Sequence, residues 1–163
     1  MHSLTTLGGA AGALLKARKE TLAVSESSAG GLINASLVAV PGASAYYLGG
    51  VIVYTYAGRE ALLGITNGEM KGMRSATEAY ARLAARRVRE RLGATWGLAE
   101  TGASGPSGNR YGDAPGHACL AVSGPLEAAV TLETGRDARE ENMWAFARRA
   151  IELLRDCLQK AGA

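Results

Sequence analysis

Apolar runs alternate with amphipathic stretches along this chain, and the alternation predicts strands separated by helices. Short runs rich in apolar and β-branched residues are typical of buried strands. The predicted strands are 21–25, 51–56, 96–100, 117–123 and 128–134. The predicted helices are 7–19, 32–40, 59–63, 75–92 and 139–160. This order favours an α/β layered fold with a largely parallel sheet, in which the last hairpin reverses one strand.

Local signals refine that pattern. The segment VIVYTY at 51–56 is the strongest strand signal, and SATE at 75–78 matches a capping box whose serine would begin a helix. Residues 101–116 form a long glycine-rich loop. In open α/β sheets the functional loops follow the carboxyl ends of the strands, so the loops after Ser25 and Glu100 are the candidates for a site.

The composition is that of a globular protein. The chain has 163 residues, 47% apolar and 20% charged, so we expect a single domain over 1–163. The net charge of +3 is small and spread along helices, which disfavours a nucleic-acid binder. No apolar run is long enough to cross a membrane, and no basic region precedes the first apolar stretch, so we expect a cytoplasmic protein. Cys119 and Cys157 imply neither a zinc site nor a disulfide scaffold.

Glycine accounts for 22 of the 163 residues, and its clusters indicate loops in which the backbone approaches a ligand. One cluster closes the segment 25–31, which follows a strand and begins a helix. Amides at a helix N-terminus attract anions and can stabilise an oxyanion, and a serine there could act as a nucleophile if a base takes its proton. The alternative is that these serines only cap the helix.

Two further segments could contribute to a site. Residues 54–59 place two tyrosines and an arginine at a strand end, where a tyrosine either packs with a wet hydroxyl or carries protons. Residues 101–113 supply hydroxyls, glycines and one arginine, which suit a phosphate or a carboxylate. Neither the Walker pattern nor GxGxxG is present, so an ATP-cleaving P-loop enzyme is disfavoured.

Ser27, Asp113 and His117 occur in the chain order of the α/β-hydrolase triad. The GxSxG segment of those enzymes is absent, and a histidine at the start of a strand is more often simply hydrogen-bonded. A hydrolase that uses these three residues stays open as an alternative. The arginines of 82–91 are predicted to form a solvated helix face.

Four segments together point to one family. They are ESSAGGL at 26–32, PGASAYYLGGVIVY at 41–54, LLGI at 62–65 and TGASGPSGN at 101–109. Each is modest alone, but four in this order over one domain-length chain are specific. The sequence resembles the CinA C-terminal domain family, the nicotinamide-nucleotide amidases, from about residue 4 to residue 158.

The resemblance implies a three-layer α/β/α domain with a mixed, mostly parallel sheet. It implies hydrolysis of the carboxamide of nicotinamide mononucleotide to nicotinate mononucleotide and ammonia, a step of NAD recycling. It implies no metal and no other cofactor, a small-molecule nucleotide as the ligand and a homo-oligomer. Neither nucleic acid nor a membrane is an expected partner.

The resemblance also implies which residues form the site. The family's serine and tyrosine correspond to Ser27 and Tyr54, and its lysine corresponds to Arg59. The implied substrate-binding residues are Glu26, Gly30, Gly31, Gly102, Ser104, Gly105, Asn109 and Arg110.

The chain departs from the better-known amidases at three places. Arginine cannot lose its proton, so Arg59 could orient Tyr54 or bind a phosphate but could not be the base. Ser28 and Ala29 stand where those amidases carry Cys-Thr, and 109–117 replaces their usual loop. These departures leave open a non-catalytic nucleotide-binding module and a hydrolase with a changed substrate.

The amidase interpretation assigns a role to each group. Ser27 attacks the carboxamide, and Tyr54, or else Glu26 or His117, takes and returns the proton. The amides of 28–31 stabilise the oxyanion. Arg110 or Arg59 holds the phosphate.

Overall fold

One five-stranded sheet forms the centre of the molecule, whose computed structural model describes residues 3–162. The strands are β1 Leu22–Glu26, β2 Tyr47–Ile52, β3 Trp96–Ala103, β4 His117–Ser123 and β5 Ala128–Glu133. Their order across the sheet is β2-β1-β3-β4-β5. β1 pairs in parallel with β2 and β3, whereas β4 is antiparallel to both β3 and β5. Within the described residues β4 is thus the one reversed strand, which confirms the predicted α/β fold with a mixed sheet.

Helices cover both faces of the sheet. They are α1 Leu4–Arg18, α2 Leu32–Val38, α3 Tyr56–Gly58, α4 Glu78–Leu92 and α5 Arg139–Ala161, with a π-helical turn at Arg59–Leu63 and a 3₁₀ turn at Ala43–Ala45. α1, α2 and α5 pack together on one face, and α4 packs on the other against β1, β3 and β4. The result is the three-layer α/β/α arrangement. No helix within residues 3–162 is both long and apolar enough to span a bilayer.

Two hydrophobic cores separate the layers, because successive side chains of a strand point to opposite faces. On β1, Leu22 and Val24 belong to the core under α1, α2 and α5, whereas Ala23 belongs to the core under α4. The same alternation places Leu98 and Ala99 of β3 in different cores. The sheet is therefore buried on both faces, and its strand ends are where polar groups can gather.

The strand predicted at 51–56 lies earlier, at Tyr47–Ile52. β2 is an edge strand that pairs only with β1, and the pairing ends at Glu26 and Ile52. The chain then turns at Thr55, whose hydroxyl caps α3 by accepting the Gly58 N–H at 3.1 Å. The apolar and aromatic residues at 53–56 therefore do not continue the strand, because the pairing of β2 with β1 ends at Ile52.

The predicted start of the long helix was also wrong. Thr77, not Ser75, is the N-cap of α4 and accepts the Tyr80 N–H at 3.2 Å. Ala76 adopts a positive φ of 59° and donates its N–H to the Thr101 hydroxyl at 3.1 Å. This tertiary bond holds the segment outside the helix, which a local capping pattern cannot indicate.

The glycine-rich loop is shorter than predicted. β3 continues through Ala103, because Gly102 and Ala103 pair with Ala118 and His117 of β4. Gly102 permits this pairing, since a Cβ there would lie 2.3 Å from the His117 carbonyl oxygen. The loop proper covers 104–116.

Candidate active site

A cleft of about 460 Å³ opens where the carboxyl ends of β1, β2 and β3 meet. It brings together the predicted catalytic residues Ser27, Tyr54 and Arg59 with Gly102, Asn109 and Arg110 from the predicted substrate-binding set. The predicted residues outside its lining are Glu26, Gly30, Gly31, Ser104 and Gly105. The cleft lies at the edge of the sheet where the sequence analysis expects functional loops.

Ser27 begins the turn between β1 and α2. Its N–H donates to Glu100 Oε2 at 2.9 Å, so the backbone of the turn is fixed from the neighbouring strand. Its side chain is half-buried in the cleft, and its hydroxyl forms no hydrogen bond within residues 3–162. A hydroxyl held in place but free of partners can approach an electrophile that enters the cleft.

The expected oxyanion hole is largely occupied by the protein itself. The Ala29 N–H donates to Glu100 Oε2 at 3.0 Å, and the Gly31 N–H donates to Glu26 Oε2 at 2.9 Å. The Gly30 N–H donates to the Ser27 carbonyl at 3.0 Å. Among the amides of 28–31, only that of Ser28 lacks an acceptor in the described part of the chain, so only this amide can serve an oxyanion.

Glu26 caps a helix and does not face the cleft. It is fully buried and accepts N–H groups of Gly31, Ile33 and Asn34 at 2.8–3.2 Å. The first amides of a helix have no partners within the helix and attract negative charge, so this carboxylate satisfies α2. Glu26 therefore has a structural role at α2, and no contact in the described residues supports the predictions that it binds substrate or takes the serine proton.

Gly30 and Gly31 shape the same turn without lining the cleft. Both have positive φ, 66° and 107°, which disfavours side chains, and a Cβ on Gly30 would lie 2.8 Å from Met143 Cε. Their role is to let the chain pass tightly from β1 into α2.

Glu100 is a site residue that the sequence analysis missed. It is the fifth residue of β3 and its side chain is buried beneath the Ser27 turn. Besides the two amides it accepts, it receives a hydrogen bond from the Ser28 hydroxyl. Burial raises the pKa of Glu100, and the hydrogen bonds from Ser28, Ala29 and Ser27 offset only part of that rise. A glutamate inside an apolar strand was the signal available in the sequence.

Tyr54 projects into solvent at the cleft and does not pack in the core. Its side chain is 60% exposed, and its oxygen accepts a hydrogen bond from Arg139 Nη2 at 2.8 Å. Arg139, the first residue of α5, also donates to the Gly105 carbonyl. It thus ties the tyrosine to the 104–116 loop across a long sequence separation, which is why sequence reasoning did not find it.

Arg59 is 3% exposed yet has no carboxylate partner among the described residues. Its Nε donates to the Ile65 carbonyl at 3.2 Å, and its Nη2 donates to Asn67 Oδ1 at 2.5 Å. Buried charges are normally paired, so an uncompensated guanidinium that lines a cleft favours an anionic ligand.

Arginines and tyrosines alternate along one wall of the cleft. The Tyr56 ring lies 5.1 Å from the Arg59 guanidinium and 4.6 Å from that of Arg110. The Tyr111 ring lies 5.5 Å from Arg110 and 5.0 Å from Arg74. The two tyrosine hydroxyls share a hydrogen bond of 3.2 Å, which lowers the pKa of Tyr111 and raises that of Tyr56. Cation–π contacts therefore attach the tip of the loop to α3.

Arg110 differs from Arg74 in its partners. Arg74 pairs with Asp113 at 2.7 Å, whereas exposed Arg110 has no carboxylate partner in the described residues. The hydrogen bond from Arg74 holds the pKa of Asp113 below its usual range despite partial burial. Asn109 also bonds Asp113, at 2.7 Å, and so braces the loop from inside.

His117 cannot serve Ser27. Its Nδ1 bonds the Glu133 carboxylate and its Nε2 bonds the Ala76 carbonyl at 2.8 Å, so both ring nitrogens are occupied. Burial lowers the pKa of His117, but the bonds to Glu133 and Ala76 outweigh it and leave the pKa raised. Asp113 pairs with Arg74 at 2.7 Å and lies 3.7 Å from His117 Nε2, but no contact in the described residues joins either side chain to Ser27, so the alternative triad of Ser27, Asp113 and His117 has no support.

Ser104 and Gly105 anchor the loop to α5 and lie outside the cleft. The Ser104 carbonyl accepts Asn142 Nδ2 at 2.9 Å. Gly105 has a φ of 106°, and a Cβ there would lie 2.7 Å from the Asp137 carbonyl oxygen. These contacts place the loop, and the substrate contact predicted for Ser104 and Gly105 stays a prediction.

Comparison with known proteins identifies the family. The CinA C-terminal domain family matches residues 4–158. A CinA-like protein of Gloeobacter violaceus is 39% identical over 92% of this chain and 36% of its own length. A CinA-like protein of Synechocystis is 37% identical over 96% of this chain and 38% of its own length. The chain thus spans little more than a third of the length of these curated relatives.

Solved structures show the same fold. A competence-damaged protein (CinA) superfamily protein from Klebsiella pneumoniae superposes with a TM-score of 0.90 at 21% identity, covering 98% of this chain and 99% of that chain. A competence/damage-inducible protein from Agrobacterium tumefaciens gives 0.88 at 24% identity, covering 98% and 97%. The family match and the shared fold together show that this chain belongs to the CinA family through its CinA C-terminal domain.

Proposed function

We propose that this protein hydrolyses the carboxamide of nicotinamide mononucleotide, giving nicotinate mononucleotide and ammonia. The observation that carries the proposal is the cleft itself. It combines the unengaged hydroxyl of Ser27 with two guanidinium groups, those of Arg59 and Arg110, that have no carboxylate partner among the described residues. A nucleophile beside an anion-binding wall suits an amide that carries a phosphate.

Ser27 is the nucleophile in this proposal. Its Oγ forms a bond to the carboxamide carbon, and the Tyr54 oxygen takes the Ser27 proton as it gives its own hydroxyl proton to the amide nitrogen. Tyr54 is the cleft residue left for this task, because Glu26 and His117 are occupied elsewhere. The C–N bond then breaks, and the proton leaves with ammonia. Water attacks the acyl–serine ester, releases nicotinate mononucleotide and restores the hydroxyl.

Different groups of the cleft stabilise the oxyanion and hold the substrate phosphate. The Ser28 N–H, which has no acceptor in the described residues, is the amide that stabilises the oxyanion. Arg110 and Arg59 hold the phosphate, because guanidinium groups form strong charge-assisted hydrogen bonds to phosphate oxygens. Arg139 orients Tyr54 through the hydrogen bond of 2.8 Å.

The test is formation of nicotinate mononucleotide from nicotinamide mononucleotide by the purified protein, followed by chromatography. Ser27→Ala removes the nucleophile and should abolish the product. Ser44→Ala, an exposed serine in the 3₁₀ turn, is the matched control and should leave the rate unchanged. Full activity in Ser27→Ala would refute the mechanism.

A second candidate function is nucleotide binding without hydrolysis. Arg59 favours it, because an arginine fixed by Ile65 and Asn67 stands where the amidases carry lysine and cannot exchange a proton. Calorimetry separates the two functions. Saturable binding of the mononucleotide without turnover supports the binding module, and turnover excludes it.

A further inference from the structure

Glu100 holds the Ser27 turn through three hydrogen bonds. One carboxylate oxygen accepts the N–H groups of Ser27 and Ala29 at 2.9 and 3.0 Å. The other accepts the Ser28 hydroxyl. Three consecutive residues are therefore fixed by one side chain that arrives from the neighbouring strand.

The place of Glu100 in the sheet explains how it reaches the turn. The parallel pairing of β1 with β3 ends at Ser25 and Ala99, so Glu100 is the first residue of β3 beyond it. Beyond this point no backbone pairing joins β1 to β3, and the Glu100 carboxylate supplies the contacts between β3 and the Ser27 turn. Glu26, at the matching position of β1, instead satisfies the amides of α2.

Such a contact matters for reaction because the Ser27 hydroxyl has no hydrogen bond of its own in the described residues. Its position depends on the backbone that carries it, and an error of about 1 Å in a reacting group can cost roughly 100-fold in rate. Glu100 accepts the N–H groups of Ser27 and Ala29, which flank the Ser28 N–H. The Ser28 N–H is the amide that can still bind the oxyanion.

We propose that Glu100 is a positioning residue, which holds the Ser27 hydroxyl and the Ser28 N–H in the geometry that the reaction needs. Glu100 does not line the cleft, so its effect on the reaction passes through the Ser27 turn. This proposal rests on the proposed amidase function, which gives Ser27 its task.

The kinetic test compares Glu100→Met, which removes every acceptor, with Glu100→Gln, whose carbonyl can still accept both amides. We expect Glu100→Met to lower kcat roughly 100-fold with KM nearly unchanged, and Glu100→Gln to recover about 10-fold of that loss. Glu20→Met is the matched control, because Glu20 bonds Trp96 Nε1 at 2.6 Å at the opposite end of the sheet. We expect Glu20→Met to lower the free energy of unfolding and to leave kcat unchanged.

Two kinetic outcomes would overturn the proposal. One is an unchanged kcat in folded Glu100→Met, and the other is an equal loss in the Met and Gln variants. A further measurement needs no turnover: the amide proton shifts of Ser27 and Ala29 are compared by NMR in wild type and Glu100→Met. Both shifts should move upfield in the variant, because neither N–H then has the Glu100 oxygen as its acceptor.

The NMR arm keeps the two proposals apart. A wild type that forms no product would contradict the amidase, while the two amide shifts still decide whether Glu100 holds the turn. Unmoved shifts at Ser27 and Ala29 would overturn the role of Glu100 whatever the activity.

Discussion

At the scale of single residues, Arg59 has a structural task as well as a place in the cleft. Its guanidinium donates hydrogen bonds to two acceptors, the Ile65 carbonyl and the Asn67 amide oxygen. A lysine has one ammonium on a flexible stem and cannot reach both in the same way. Arg59 therefore stabilises the segment after α3 as well as giving the cleft its positive charge.

We expect Arg59→Lys to lower the free energy of unfolding by about 1–3 kcal/mol, since it sacrifices a charge-assisted hydrogen bond in a buried place. Urea denaturation measures the change. Arg82→Lys, on the exposed side of α4, is the control and should leave the midpoint in place. Equal midpoints for both variants would show that the Arg59 bonds contribute nothing to stability.

Residue roles were only partly predictable from the sequence. The resemblance to the CinA C-terminal domain family implied Ser27, Tyr54 and Arg59 as one set, and the three residues line the same cleft. The opposite roles of Glu26 and Glu100 were not predictable. Each is a glutamate at the end of a buried strand, and only their partners show that one holds α2 and the other holds the Ser27 turn.

At the scale of elements, close approach between α1 and α2 depends on a single glycine. A Cβ on Gly8 would lie 2.2 Å from the Ser36 carbonyl oxygen of α2, whereas one on its neighbour Gly9 would meet nothing within 4 Å. Both glycines lie inside α1, so helix propensity is the same for the two. They form a matched pair for measuring the packing of the helix that follows the Ser27 turn.

We expect Gly8→Ala to destabilise the fold by about 1–3 kcal/mol, because the helices must separate. Gly9→Ala should stabilise it by about 0.5–1 kcal/mol through improved helix propensity. Urea denaturation of both variants gives the comparison. A stabilising Gly8→Ala would mean that α1 and α2 do not approach as closely as described.

A strand that is buried along its whole length was predicted well from its apolar pattern. The strand predicted at 117–123 matches β4, because buried strands keep their apolar character from end to end. The strand predicted at 51–56 failed because its extent depends on where β1 ends, and the start of α4 failed because Thr101 holds Ala76 outside the helix. Both misses come from tertiary contacts that local patterns do not contain.

At the scale of the whole molecule, His117 links stability to pH. It joins β4, β5 and the segment before α4 through Glu133 and the Ala76 carbonyl. Because its pKa is raised in the folded state, its contribution is fully present below the ordinary histidine value of about 6.5 and is lost as pH rises through the folded pKa.

We expect the free energy of unfolding of the wild type to fall between about pH 6 and about pH 8 more steeply than that of His117→Gln, which cannot titrate. Urea denaturation of both proteins at the two pH values provides the test. Parallel pH dependence in wild type and variant would show that His117 does not carry this linkage.

The most direct test of the central claim is ammonia release from nicotinamide mononucleotide, measured with wild type and Ser27→Ala side by side. We expect the wild type to release ammonia, and we expect Ser27→Ala to remain folded, bind the nucleotide and release none. That result would show that the cleft performs amide hydrolysis with an arginine at position 59. No release by the wild type, or equal release by the variant, would contradict the account.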